Sequence, residues 1–142
     1  MAKVMDLLAG KGRAVVAIGP EEPVLEAVEL MADKGIGAVL VMRGEELLGI
    51  LSERDYARKV ILKGRSSAET AVWEIMSAPV TTVGPEDTVN TCMMLMTEHK
   101  FRHLPVLDEG RIVGVLSIGD LVKSVIEEQQ REIDELHRYI AS

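Results

Sequence analysis

"GILSERD", residues 49–55, and "GVLSIGD", residues 114–120, are one junction written twice. Glycine, serine and aspartate take matching places: Gly49 and Gly114, Ser52 and Ser117, Asp55 and Asp120. An apolar stretch that ends in serine and meets a carboxylate three residues later is a helix start. The serine hydroxyl accepts from the first free amides, and the acid reaches back to the N-cap amide. Both stretches therefore predict a strand running straight into a helix.

The duplication extends far beyond the junction. Residues 20–60 set against 85–125, without a gap, share Pro20/Pro85, Glu21/Glu86, Val24/Val89, Met31/Met96, Val41/Val106, Leu51/Leu116 and Val60/Val125 besides the junction itself. A chain that repeats in one register is built from two copies of one unit. Each copy reads as a short strand ("AVVAI", 14–18; "VTTV", 80–83), a helix, a hairpin and a second helix. The first helix follows "PEEP" or "PEDT". Its apolar positions are Val24, Ala27, Val28 and Met31 in copy one and Val89, Cys92, Met93 and Met96 in copy two, the i, i+3, i+4, i+7 spacing of a buried stripe. Gly35 suits the left-handed cap that ends the first of these helices. "AVLVMRGEELLGILS" and "HLPVLDEGRIVGVLS" are two apolar runs around a charged, glycine-containing turn, the pattern of a β-hairpin. The second helix begins near Glu53 in copy one and near Ile118 in copy two, where it runs on to about residue 140.

Composition narrows the classes of function. The chain has 142 residues, 47% of them apolar but only 3% aromatic, so its core is aliphatic. A net charge of −7 argues against the broad basic face that nonspecific nucleic-acid binding needs. The longest apolar run, "IGAVLVM" at 36–42, is strand-sized and far below the ~20 residues that span a bilayer. The single Cys92 forms no internal disulfide, and "MAKVMDLLAGKGR" does not read as a signal peptide; a cytoplasmic protein is expected. Gly10–Arg13 lacks phosphate-loop spacing. His99, His103 and His137 lack metal-ligand spacing, and no nucleophile–base–orienter set stands out, so neither a metal nor catalysis is expected.

Strand, helix, hairpin and helix, repeated once with G-h-[LIV]-[ST]-x-x-D at the hairpin–helix junction, resembles the cystathionine β-synthase (CBS) domain pair, or Bateman module. The resemblance covers roughly residues 3–140. "FRHLPVLDEGRIVGVLSIGDLV" (101–122) is similar to the family's typical second motif, and "GILSERDYARKVILKGRSS" (49–67) to the first motif of small stand-alone bacterial members. It implies a mixed α/β (α+β) fold of two pseudo-symmetric repeats, each a small sheet with two helices, forming one module. The expected divisions are repeat 1 with its linker at 3–67, repeat 2 at 68–127 and a helical extension at 128–142. It further implies a regulatory module that binds an adenine nucleotide between the repeats, AMP first, with ADP, ATP, NAD or S-adenosylmethionine as alternatives. A homodimer that modulates an unidentified effector protein would follow.

The duplicated turn admits two uses. It caps a helix in any α/β fold. It also presents free amides and a partial positive charge that suit phosphate, a hydroxyl at Ser52 or Ser117 that can donate to phosphate, and a carboxylate at Asp55 or Asp120 that can accept from a ribose diol. By analogy with the family, adenine would lie beside the backbone of Ala38–Val39 and His103–Leu104, with Ile18 and Val83 as apolar contacts or simply as core. Arg102 and His103 match positions where the family places phosphate contacts. The copies differ at the turn: Arg54 in copy one stands where copy two has Gly119. Arg54 is either a phosphate partner or an exposed helix residue. A purely structural dimerisation adaptor, or a regulatory fragment of a nucleotide-metabolising enzyme, would carry the same pattern.

From Val122 onward, residues 122, 126, 129, 133, 136 and 140 (Val, Ile, Gln, Ile, Leu, Ile) follow steps of four and three, a heptad seam. A second subunit is the simplest surface for such a stripe.

Overall fold

The structure is a computed structural model and describes residues 2–141. The elements in chain order are α1 (Val4–Lys11), β1 (Ala17–Ile18), α2 (Val24–Lys34), β2 (Ala38–Arg43), β3 (Glu46–Ser52), α3 (Glu53–Tyr56), α4 (Val72–Ile75), α5 (Val89–His99), β4 (His103–Asp108), β5 (Arg111–Ser117) and α6 (Ile118–Ala141). The chain separates into two compact units, Val15–Thr81 and residues 2–14 with 82–141.

In the unit Val15–Thr81, β1 pairs parallel with β2, and β2 pairs antiparallel with β3. Ala38 lies opposite Ser52 and Val41 opposite Gly49. The buried stripe of α2, Val24, Ala27 and Met31, packs with Ile18, Val39, Val41, Leu51 and Val60. Gly35 closes α2 at φ 63, a left-handed conformation that glycine adopts without a Cβ clash. The helix begun at Glu53 widens at once into a π-type turn over Ala57–Ile61 and stops short of Gly64.

The second unit repeats the design. β4 pairs antiparallel with β5, His103 opposite Ser117 and Val106 opposite Gly114. "VTTV" forms no extended strand; Val83 alone bridges to Val106. Val89, Cys92 and Met96 of α5 pack with Leu104, Val106, Leu116 and Leu121. Lys100 takes the place of Gly35, at φ 60.

Each repeat is completed by a short helix that precedes the other repeat in sequence. Helix α1 buries Val4 and Leu8 in the core of the second repeat. Helix α4 buries Val72 and Ile75 in the core of the first. The same bonds hold both: Val4 N donates to Asp87 O and Met5 N to Pro85 O, as Val72 N donates to Glu22 O and Trp73 N to Pro20 O. A division at residues 67 and 68 follows the repeat in sequence, whereas the compact units exchange these helices, because their apolar faces are covered only there. The exchange also explains the duplicated glycine. A Cβ on Gly49 would stand 2.6 Å from Met76 Sδ and 3.0 Å from the Ser77 carbonyl oxygen, and one on Gly114 would stand 2.6 Å from a Leu8 methyl. The glycines admit the segments that begin with α4 and α1 against β3 and β5.

Candidate functional site

Both serine–aspartate turns are complete capping boxes. At the first, the Ser52 amide and hydroxyl each donate to Asp55 Oδ2 at 3.0 Å, and the Asp55 amide donates to Ser52 Oγ at 3.1 Å. At the second, the Ser117 amide donates to Asp120 Oδ2 at 2.7 Å, its hydroxyl donates at 3.0 Å, and the Asp120 amide returns a bond of 3.2 Å. The strand ends are held in register by Glu53 N donating to Gly37 O and Ile118 N to Arg102 O. Ser52 therefore lies beside Ala38, and Ser117 beside His103.

Each aspartate also carries an ammonium, delivered by a different route. Asp55 Oδ1 pairs with Lys59 one turn along, at 3.1 Å, and accepts the Ser77 hydroxyl at 3.0 Å. Lys59 is anchored further by donating to the Ile75 carbonyl. At the matching place copy two has Ser124, which is buried, and the ammonium comes instead from Lys11 at the end of α1. Lys11 Nζ donates to Asp120 Oδ2 and to the Val115 carbonyl, both at 2.6 Å. Burial by itself would push Asp120 up, but the Lys11 hydrogen bond, the Ser117 amide and the Lys11 charge outweigh it and hold this carboxyl below the ordinary value. Among the described residues, the side-chain bonds of Asp120 converge on Oδ2, whereas those of Asp55 occupy both oxygens.

The other predicted residues divide by burial. Ile18, Val39, Val83 and Leu104 are core members, so their side chains pack inward. Ala38 is also buried. β1 pairs with β2 at Leu40 and Val41, and Val83 bridges to Val106 of β4 through bonds to Pro105 and Leu107, so Ala38–Val39 and His103–Leu104 lie beyond these pairings. Arg54, Gly119 and Arg102 are exposed, and His103 is half-buried. Lys11, Lys59 and Ser77 were not among the expected residues. The Asp55–Lys59 spacing was a readable signal. For Lys11 the signal was the likeness of "VMDLL" (4–8) to "VWEIM" (72–76), which marks two equivalent helices outside the main repeat. A groove of about 390 Å³ between α1 and α6 is lined by Asp6, Lys11, Asp120, Lys123, Glu127 and Arg131 among others. It reaches Asp120 from the helix side and includes none of the other expected residues. Cys92 is buried, and desolvation pushes its thiol up to about 11, which removes it as a nucleophile. Among the described residues no cluster of His, Cys, Asp and Glu could hold a metal ion, and no helix is long and apolar enough to cross a membrane.

A family model for the CBS domain matches residues 11–62 and again 72–127. The chain belongs to the CBS-domain family. This CBS pair is 38% identical over 146 residues to the mitochondrial CBS domain-containing protein CBSX3 of Arabidopsis thaliana, covering 96% of this chain and 71% of that one. It is 51% identical to a protein with CBS domains from Burkholderia ambifaria MC40-6, whose solved structure superposes with a TM-score of 0.87 over 90% of this chain and 96% of that one. The fold is also that of the CBS domain pair of protein MJ0100, solved in complex with 5′-methylthioadenosine and S-adenosyl-L-methionine, at a TM-score of 0.80, 20% identity and coverage of 90% and 98%. As a CBS pair the chain is a regulatory module.

Proposed function

We propose that this CBS pair senses an adenosine-containing ligand, with AMP the first candidate and ADP, ATP, NAD and S-adenosylmethionine the alternatives, and passes its occupancy to a partner protein without catalysing a reaction. The observation that carries the reading is the duplicated turn. Each copy sets a hydroxyl, a helix start and a lysine-neutralised carboxylate beside the first strand of its hairpin. Asp120 Oδ1 and Asp55 would accept from ribose hydroxyls, Ser52 and Ser117 would meet ribose or phosphate, and the backbone of Ala38–Val39 and His103–Leu104 would read the base edge. Arg102 and His103 would meet phosphate, as would Arg54, which gives the first turn a positive charge that the second, with Gly119 at that place, lacks. The ligands of the MJ0100 pair share the adenosine moiety that these groups would read. A homodimer in the cytoplasm is the expected working form, Cys92 being a free thiol.

A thermal-shift panel tests this. An adenine ligand at 100 times its dissociation constant should add about 2.7 kcal/mol to stability, with guanine and cytosine nucleotides giving less. A flat response to every adenine compound at millimolar concentration would sink the reading. The closed capping boxes would then favour the second one, an adaptor whose turns only start helices.

A further inference from the structure

We propose that the C-terminal half of α6 pairs with the same segment of a second copy as a parallel, in-register two-stranded coil. This deepens the homodimer reading above by giving it a surface, an orientation and a register.

Helix α6 packs on its own repeat only through its first turns, where Leu121 and Ser124 are buried. Every residue from Gln129 to Ala141 is exposed. A helical segment of that length is marginal in water without a packed face. The seam lies on another side of the helix from Leu121: Val122 is 43% exposed, Ile126 59%, Ile133 46%, Leu136 60% and Ile140 78%. This stripe continues unbroken from the packed part of α6 into the projecting part.

The seam is self-complementary in one orientation. Ile126, Ile133 and Ile140 fall at one core position of the heptad, and Val122, Gln129 and Leu136 at the other. β-Branched residues at the first position and leucine at the second favour two parallel strands. Gln129 decides further. In a parallel, in-register pair its amide meets the amide of the other Gln129, and the two can bond to each other. In the antiparallel pairing with the longest overlap, Ile126 meets Leu136 and Gln129 meets Ile133, which buries an amide against hydrocarbon. The flanking charges agree. Parallel strands bring Glu132 of one copy beside His137 of the other, whereas that antiparallel pairing brings the two Glu132 carboxylates together.

Cysteine cross-linking of the full chain tests the orientation. Gln129→Cys and Ile133→Cys are both at exposed positions, and the buried Cys92 stays out of the reaction. Under mild oxidation Gln129→Cys alone should give a covalent dimer, at least about fivefold more than a mixed dimer of the two variants. A mixed dimer that dominates would overturn the parallel orientation while leaving self-association intact. Sedimentation adds the second readout: the parent should run as a dimer or larger, and a chain truncated after Glu128 should run lighter. A parent that sediments as a monomer, or a truncated chain that associates as before, would overturn the proposal. Neither result bears on adenosine binding, which the thermal panel reads separately.

Discussion

Replacing Asp120 by alanine separates the two uses of the duplicated turn. In the free protein the substitution removes the acceptor for the Ser117 amide and for Lys11. A lost cap costs about 1 kcal/mol. The Lys11 pair is 41% and 24% exposed, so its loss adds at most about 1 kcal/mol. The sum, roughly 1–2 kcal/mol, corresponds to a fall of about 3–8 °C in a domain of this size. Ligand affinity should fall further. Hydrogen bonds to a charged group contribute roughly 1.5–3 kcal/mol, so a ribose held by the carboxylate should bind about 10- to 150-fold more weakly. Asp55→Ala should reverse the balance. Its carboxylate is the more buried, at 13% exposure, and takes Ser77 and Lys59 as well as Ser52, so fold stability should suffer more than at Asp120. Asp120→Asn keeps an acceptor for the Ser117 amide and should recover most of the melting temperature but not the affinity. Calorimetry with adenosine, AMP and ATP beside thermal unfolding gives both axes. If both alanine variants bind every ligand within twofold of the parent and merely melt earlier, the carboxylates are caps and the reasoning fails.

Three further outcomes follow from particular contacts. Asp120 is held below its unfolded value, so the stability it contributes is present above about pH 4 and is lost as pH falls through its folded value; Lys11→Met should therefore destabilise at pH 7 and converge with the parent in acid, as melting curves across pH 3–7 would show. Gly49→Ala should cost about 1–3 kcal/mol, because its methyl meets the Ser77 carbonyl as well as Met76, and Gly114→Ala less, because the Leu8 side chain can turn away; urea midpoints that rank them the other way would contradict the packing. Lys100→Gly should raise stability by up to about 1 kcal/mol in the same assay, since its φ of 60 matches that of Gly35 at the equivalent helix end.

The order of helix, hairpin and helix, the capping boxes and the length of α6 were legible in the amino-acid sequence. Each rests on a pattern that spans a few residues: alternation of helical faces, a glycine in a turn, serine three residues before aspartate, heptad steps. Short-range hydrogen bonds and side-chain sterics enforce such patterns wherever they occur, so the two copies report the same structure twice. Tertiary structure alone decided which short helix completes which repeat. The apolar face of "VMDLL" fits any hydrocarbon surface, and nothing local in it names β5, more than 100 residues further on. The same step made Gly49 and Gly114 packing sites, placed Ile18, Val39, Val83 and Leu104 in the cores, and set Lys11 on Asp120 across 109 residues. Contacts at that separation are fixed by the folding of the whole chain, when buried area and a paired charge select one docking among many that the local pattern permits.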